Sequence, residues 1–419
     1  MRYLNTHNRS RHKGLRFKNK RKEMLKKSLI TIALLMLFRL LNYIPTPFTN
    51  LSLLDLKGSN LGALNIANMF SGGAFKQFTL MATGISSYIS ASIIVQLLTY
   101  VSKRLDEINK GANGQKIMKH LIIVLGLILS FITSLIFTNY LQKASGFLSK
   151  DAWWVYLLIA LFHSLGTFIA IIIGEAITEK GYGNGVSLLI SINIILGLPQ
   201  LIKALGSLNT GAIITTVLLS ILMVLIIIRV ESSDIKLKLR YTKNLSRMRG
   251  INQSSVDRLP IKLNLAGVMP VIITSSTIQL FSFIFNLSNN KVSKSLQTFF
   301  SNKIAYFIAF SLLIVLFSYV YSFLIFNPRE IAENLQKAGG VIIGIRPGKD
   351  TTKYLDQLRK QLSKFSGIYL ILVSFIPLLI SLLFNFNGLQ ATSIIILVGT
   401  ITELLTQIEN DYKMGLLSR

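Results

Sequence analysis

Few residues in this chain are equipped for acid–base or nucleophilic chemistry. The four histidines are His7, His12, His120 and His163, and there is no cysteine. His120 stands at the edge of an apolar stretch, and only His163 lies well inside one. No acid stands near it in sequence, so polar packing is expected of it rather than catalysis. Acids within apolar segments are scarce: Glu175 ends one such segment and Glu403 lies in another. The patterns HExxH, GxxxxGK[ST] and GxSxG, and a GxGxxG on a strand, are all absent. That disfavours zinc-hydrolase, P-loop, serine-hydrolase and dinucleotide-binding chemistry. The lack of cysteine removes disulfides, thiolate chemistry and Cys-ligated metals. Gly181-Tyr-Gly-Asn-Gly185 is a weak lookalike of a phosphate cradle, but no lysine pattern accompanies it. Three glycines in five residues point instead to backbone that a side chain would obstruct. Neither an enzyme nor a cofactor is expected.

The elements that position these residues follow from composition and order. Of 419 residues, 51% are hydrophobic and only 15% charged, yet the formal net charge is +28, from 45 Lys+Arg against 17 Asp+Glu. A soluble domain this apolar, or a nucleic-acid binder this greasy, fits poorly. A polytopic membrane protein reconciles the two facts if the apolar residues form spans and the basic ones crowd one side. About 20 apolar residues cross a hydrocarbon core as a helix. Ten segments qualify: Leu29–Ile44, Phe78–Val101, Ile117–Phe137, Trp153–Gly174, Val186–Leu205, Ala212–Val230, Leu263–Phe285, Ile304–Phe326, Gly367–Phe384 and Leu389–Ile408.

Ten spans place both termini on one face. With that face cytoplasmic, 36 of the 45 basic residues lie inside and 8 outside, with Arg39 within the first span. This is a strong positive-inside bias. Residues 1–28 form a basic cytoplasmic arm, too polar for a secretory signal peptide. Its first 22 residues read as disordered. The arm suits anchoring near anionic lipid, and contact with ribosomal RNA is the sharper alternative. Two five-helix halves, 29–205 and 206–408, precede a cytoplasmic tail, 409–419.

Several segments break the rules of a plain membrane span. Residues 61–76 are half apolar, too short to cross, and carry Gly72-Gly73. They suit an element that turns back into the protein, since irregular backbone at depth needs cover from protein or water. An interfacial helix is the alternative. The second span carries a small polar stripe, Ser86 and Ser90, beside an aliphatic one, Ile89 and Ile93. The seventh holds Thr274-Ser275-Ser276-Thr277. Two such helices facing each other make a seam that packs closely through small residues and weak interhelical hydroxyl bonds. Finally, inner loops 229–262 and 327–366 carry 17 Lys+Arg between them. In the second, Pro347 and flanking glycines set Arg346 on a stiff turn. Loops this long and basic suit docking of a large acidic or RNA-containing partner.

An ordered set of motifs resembles the SecY family, the central subunit of the protein-conducting channel. The stretches are Asn68-Met-Phe-Ser-Gly-Gly, Tyr88-Ile-Ser-Ala-Ser-Ile-Ile with Gln96-Leu-Leu-Thr, Gly174-Glu-Ala-Ile-Thr-Glu, Gly183-Asn-Gly, Leu259-Pro-Ile-Lys-Leu-Asn264, Ala266-Gly-Val-Met-Pro270, Phe326-Asn-Pro-Arg-Glu330 and Gly344-Ile-Arg-Pro-Gly348.

The resemblance implies an all-α polytopic membrane protein. Ten transmembrane helices would form two pseudo-symmetric five-helix halves around a central pore, with a plug and a lateral gate. The pore ring falls on Ile85, Ile89, Val186, Ile190, Ile272 and Ile396. The plug falls on Asn65, Ile66, Ala67, Asn68, Met69, Phe70, Ser71, Gly72 and Gly73. The gate falls on Ser86, Ser87, Ser90, Thr274 and Ser275, and docking of motor or ribosome on Arg247, Arg249 and Arg346. Branched aliphatic ring residues suit a compliant seal that offers ions no ligands. The implied partners are SecE-like and SecG-like small membrane subunits, the SecA motor ATPase, the ribosome, signal peptides, unfolded preproteins and membrane lipid. The implied location is the bacterial plasma membrane.

Two departures stand out. Ser86-Ser87 replaces the family's common Met-Pro, and Ile343 a common proline before Gly344. A divergent accessory SecY with a restricted substrate set is therefore the alternative to a general translocase. Among other classes, an ion-coupled secondary transporter lacks the buried acids it would need.

Overall fold

The computed structural model describes residues 3–50, 78–111, 113–206, 208–241, 257–287, 302–384 and 391–417. The chain divides into two compact units. One comprises Met1–Ser207, Ser276–Asn302 and Ile396–Arg419; the other comprises Leu208–Ser275 and Lys303–Ile395.

In the first unit, helices α1 (Tyr3–Leu41), α2 (Gly84–Val101), α3 (Lys103–Lys110), α4 (Gly114–Ser145), α5 (Trp153–Lys180) and α6 (Gly185–Leu205) follow in order. α4 and α5 pack along each other, and α2 packs against both. α1 is helical from Tyr3, whereas the sequence suggests a disordered arm before the first span. A run without proline or strand-type alternation lets the helix of the span continue into the arm. α4 stops at Gly146, whose left-handed φ of 60° lets its N–H bond the Gln142 carbonyl.

The second expected span begins later than its apolar run suggests. Residues 78–83 are not helical but buried backbone. Thr79 bridges to Pro45, and the Leu80 N–H bonds the Ile44 carbonyl at 2.9 Å. Phe78 anchors this stretch, with its ring 5.0 Å from Phe147 and 5.8 Å from Phe137. A Cβ at Gly166 on α5 would collide with the Leu80 carbonyl oxygen. Glycine there is what lets irregular chain lie directly on a helix.

The second unit holds α7 (Thr210–Glu231), strands β1 (Asp234–Tyr241) and β2 (Asp257–Lys262), the start of α8 (Met269–Leu287), α9 (Lys303–Ile325), α10 (Pro328–Lys337), β3 (Gly340–Ile342) and α11 (Lys349–Phe384). α12 (Ala391–Leu417) returns the chain to the first unit. The described parts of the regions read as loops, 229–241, 257–262 and 327–366, hold regular elements, and the all-α expectation is corrected by an antiparallel sheet of order β2-β1-β3. The strict alternation Ile-Lys-Leu-Lys-Leu-Arg from Ile235 has the period of a strand. Leu237 and Leu239 turn inward with Ile261, Ile342, Leu335 and Leu355 into one core. In α10, Asn327 caps the helix, accepting from the Glu330 N–H at 3.4 Å, with Pro328 in the first turn. α11 starts 18 residues before the expected span, so its first half lies in what reads as loop.

Among the described residues, seven helical segments are long and apolar enough to cross a membrane. They are Gly114–Asn139, Trp153–Lys180, Gly185–Lys203, Thr210–Glu231, Lys303–Lys337, Lys349–Phe384 and Thr392–Glu409. Gly84–Thr99 and Met269–Ile278 are shorter apolar helices.

Candidate functional site

The expected ring residues occupy the opening turns of their helices. Ile85 and Ile89 lie one turn apart at the start of α2, and Val186 and Ile190 repeat that spacing at the start of α6. Residues four apart share a helix face, and α2 contacts α6. Ile272 lies in the first turn of α8 and Ile396 in the second of α12. All are buried except Val186, which is half-buried. None is charged or polar.

The serines and threonines of the expected gate behave differently from the sequence reading. Rather than bonding a neighbouring helix, they close on their own. Ser86 Oγ donates to the Thr83 carbonyl at 2.7 Å and Ser90 Oγ to the Ser86 carbonyl at 3.0 Å. Thr274 Oγ1 donates to the Pro270 carbonyl at 2.8 Å and Ser275 Oγ to the Val271 carbonyl at 2.9 Å. Ser87 is buried on α2. Back-bonded hydroxyls leave a small, smooth helix face with no bond of theirs to break on separation. The plug positions 65–73 lie outside the described residues, as do Arg247 and Arg249.

Arg346 is exposed on the turn between β3 and α11. Gly344 and Gly348 on either side adopt φ of 87° and 97°. The Arg346 carbonyl accepts from Thr351 Oγ1 at 2.8 Å, tying the turn to the first turn of α11. The sheet adds a basic surface that the sequence reading passed over. Lys236, Lys238 and Arg240 point away from the core, and Arg258 on β2 pairs directly with Lys238. These four cations form no ion pair among the described residues. The strand alternation was visible in the sequence, but charges counted per loop hide which face they share.

The Gly181–Gly185 turn is a structural junction, not a phosphate cradle, because four of its five amides are already used. The Tyr182 N–H bonds Thr31 Oγ1 at 3.0 Å, Gly183 N–H bonds Gln407 Oε1 at 2.8 Å, and Gly185 N–H bonds Thr178 Oγ1 at 2.9 Å. Asn184 Oδ1 accepts from the Val186 N–H at 3.1 Å, capping α6. A Cβ at Gly185 would overlap the Gly174 carbonyl. Lys27 and Asp411, 3.5 Å apart, add a bridge between α1 and α12.

Most of the remaining chemistry-bearing residues have structural partners. His163 is fully buried, with Ser134 Oγ 2.7 Å from Nδ1 and Thr46 Oγ1 3.1 Å from Nε2. Glu175 pairs with Lys119 on α4 at 3.0 Å. Glu403 is exposed. Asn264, from the Leu259–Asn264 motif, donates to Glu231 Oε1 at 2.6 Å and to the Gly267 carbonyl at 3.1 Å. Among the described residues no group of acids and histidines could hold a metal ion.

Long apolar helices, uncharged residues at the expected ring positions and a basic sheet are the features of a multi-pass helical membrane protein. The SecY family profile matches residues 79–405. A protein translocase subunit SecY from Helicobacter pylori is 33% identical over 413 residues, covering 94% of this chain and 97% of that protein. The chain belongs to the SecY family. Its fold is that of solved channels. A structure described as a protein-conducting channel has a TM-score of 0.67 at 16% identity, with 94% of this chain and 93% of that one covered. Sec61 in a canine ribosome–channel complex has a TM-score of 0.64 at 15% identity, with the same coverage.

Proposed function

We propose that this protein is the pore-forming subunit of a general protein translocase. It would conduct unfolded secretory chains across the bacterial plasma membrane and release apolar segments sideways into lipid. The observation that carries the reading is the near full-length relation to a curated translocase subunit. Ten spans with both termini cytoplasmic complete the architecture. They comprise the seven long helices, the first span, and the segments containing α2 and α8. The halves 29–205 and 206–408 flank the pore, between the arm 1–28 and the tail 409–419.

Ile85, Ile89, Val186, Ile190, Ile272 and Ile396 form the constriction, closed beneath the plug at 65–73. Aliphatic side chains seal against ions because they replace none of an ion's hydration. α2 and α8 are gate helices. A signal peptide lodges between them and gains lipid-facing burial available only in the open state, which shifts the population toward opening. The self-satisfied hydroxyls of Ser86, Ser90, Thr274 and Ser275 support this, since parting such faces breaks none of those bonds.

The pore supplies no energy, so partners must. The SecA motor ATPase or the ribosome docks on Arg346, Arg247, Arg249 and the face of Lys236, Lys238 and Arg240. SecE-like and SecG-like subunits complete the membrane complex. An ion-coupled transporter finds no support in Glu175, which is paired with Lys119, or in Glu403, which is exposed. The test is export of a secretory precursor into proteoliposomes holding this chain with its small subunits and motor. Protease-protected precursor that depends on ATP is expected. Its absence in active motor preparations contradicts the reading.

A further inference from the structure

The start of α2 is fixed by a buried hydroxyl cluster rather than by a cap. Thr83 precedes the helix without a capping bond from its side chain. Its Oγ1 instead lies 2.8 Å from Ser130 Oγ on α4 and 3.3 Å from Thr167 Oγ1 on α5, and those two are 2.8 Å apart. The three hydroxyls close a triangle. About one turn away, Ser134 on α4 meets His163 on α5, and His163 reaches Thr46. Thr46 Oγ1 donates to the Phe78 carbonyl, at the head of the irregular stretch. With that proton spent, Thr46 accepts from Nε2–H, and Nδ1 accepts from Ser134. Thr83 is 3% exposed, and Ser130, Ser134, His163 and Thr167 are 0% exposed.

Such bonds are directional and costly to leave unmade where no water replaces them. They exist only while the head of α2 stays in register with both α4 and α5. At the other end of those two helices, Lys119 and Glu175 hold α4 to α5. Along the middle, a Cβ at Gly126 would lie 3.6 Å from that of Ala91, so α2 and α4 are in close contact. Ser86 and Ser90, by contrast, bond back to carbonyls of their own segment. The cluster also stands just before Ser86-Ser87, where the family's common proline is missing.

We infer that Thr83, Ser130, Ser134, His163 and Thr167 are positioning residues that fasten α2 to α4 and α5, so that α2 moves with them as one block when the gate opens. This rests on the reading of α2 as a gate helix.

The chain has no cysteine, so an engineered pair has no background. Ala91→Cys with Gly126→Cys matches the disulfide window of about 3.5–4.5 Å between Cβ atoms. In the reconstituted complex, the oxidised pair is expected to export within about twofold of its reduced form. Export that stops on oxidation and returns on reduction would overturn the inference, because α2 would then have to leave α4. A second arm uses Thr83→Val and Thr167→Val. Losing one ordinary hydrogen bond shifts a two-state population about fivefold. Each variant is therefore expected to raise resting conductance by about that factor, with a melting temperature lowered by a few degrees through the partners left unpaired, and Thr167→Ser is expected to keep the wild-type conductance. Unchanged conductance in both valine variants would overturn the inference. Where a valine variant does not accumulate, the disulfide pair decides alone. Ile89→Gly is run alongside: if it leaks and the valine variants do not, only the fastening fails. If Ile89→Gly does not leak and wild type does not export, the channel reading itself fails.

Discussion

Lys238 and Arg258 face each other directly across β1 and β2 on the open side of the sheet. Two cations in register repel, by about 0.2–1 kcal/mol in a cross-strand pair. The sheet tolerates this because its other face is anchored by Leu237, Leu239, Ile261 and Ile342 in a shared core. Each fully buried aliphatic side chain there contributes about 1.5–3 kcal/mol.

An unrelieved pair of this kind separates folding from docking. Lys238→Glu should raise the thermal stability slightly, by removing the repulsion. The same change should weaken binding to ribosomes and flatten its dependence on salt, since fewer counterions are released. Co-sedimentation at several salt concentrations, beside a thermal melt, checks both signs. Tighter binding by the variant would remove the sheet from the docking surface.

Arg346 offers a second handle on docking. It is exposed, and its turn is tied to α11 through the carbonyl rather than the side chain. Arg346→Glu should therefore leave the melting temperature within about 1 °C, as surface changes usually stay within ±0.5 kcal/mol. Motor-driven export should fall by tenfold or more. Normal export by the folded variant would refute the role.

Two glycines of α6 should respond in opposite directions. At Gly185 a Cβ meets the Gly174 carbonyl, whereas at Gly197 nothing among the described residues lies within 4 Å. Gly185→Ala should destabilise by at least about 2 kcal/mol, in the range of core overpacking. Gly197→Ala should be neutral or stabilising by up to about 1 kcal/mol, from helix propensity. Melting of the purified variants by fluorescence-detected size exclusion distinguishes them. Similar behaviour of the two would show that the α5–α6 approach does not depend on glycine.

These contrasts also mark what the sequence could reveal. Apolar runs locate helices well because a span must satisfy its own backbone, and the glycines of 181–185 announce their close approach through type alone. The fastening cluster around His163 was not legible. Its members, Thr46, Thr83, Ser130, Ser134 and Thr167, come from distant segments, and a lone serine in an apolar helix does not declare its partner. The sheet was legible from the alternation after Ile235, yet loop-by-loop charge counting conceals it. The long α11 was obscured for a related reason: its first half is polar and amphipathic, so a hydropathy reading begins only at Gly367. The gate hydroxyls show the converse. Their types suggest bonds between helices, but a carbonyl three or four residues back is always within reach.

The central claim is that aliphatic residues from α2 and α8 seal a pore. Resting ion conductance of the reconstituted complex in a planar bilayer tests it most directly. Ile89→Gly, Ile272→Gly and deletion of residues 65–73 are each expected to raise that conductance severalfold over wild type. Wild-type conductance in all three would contradict the account.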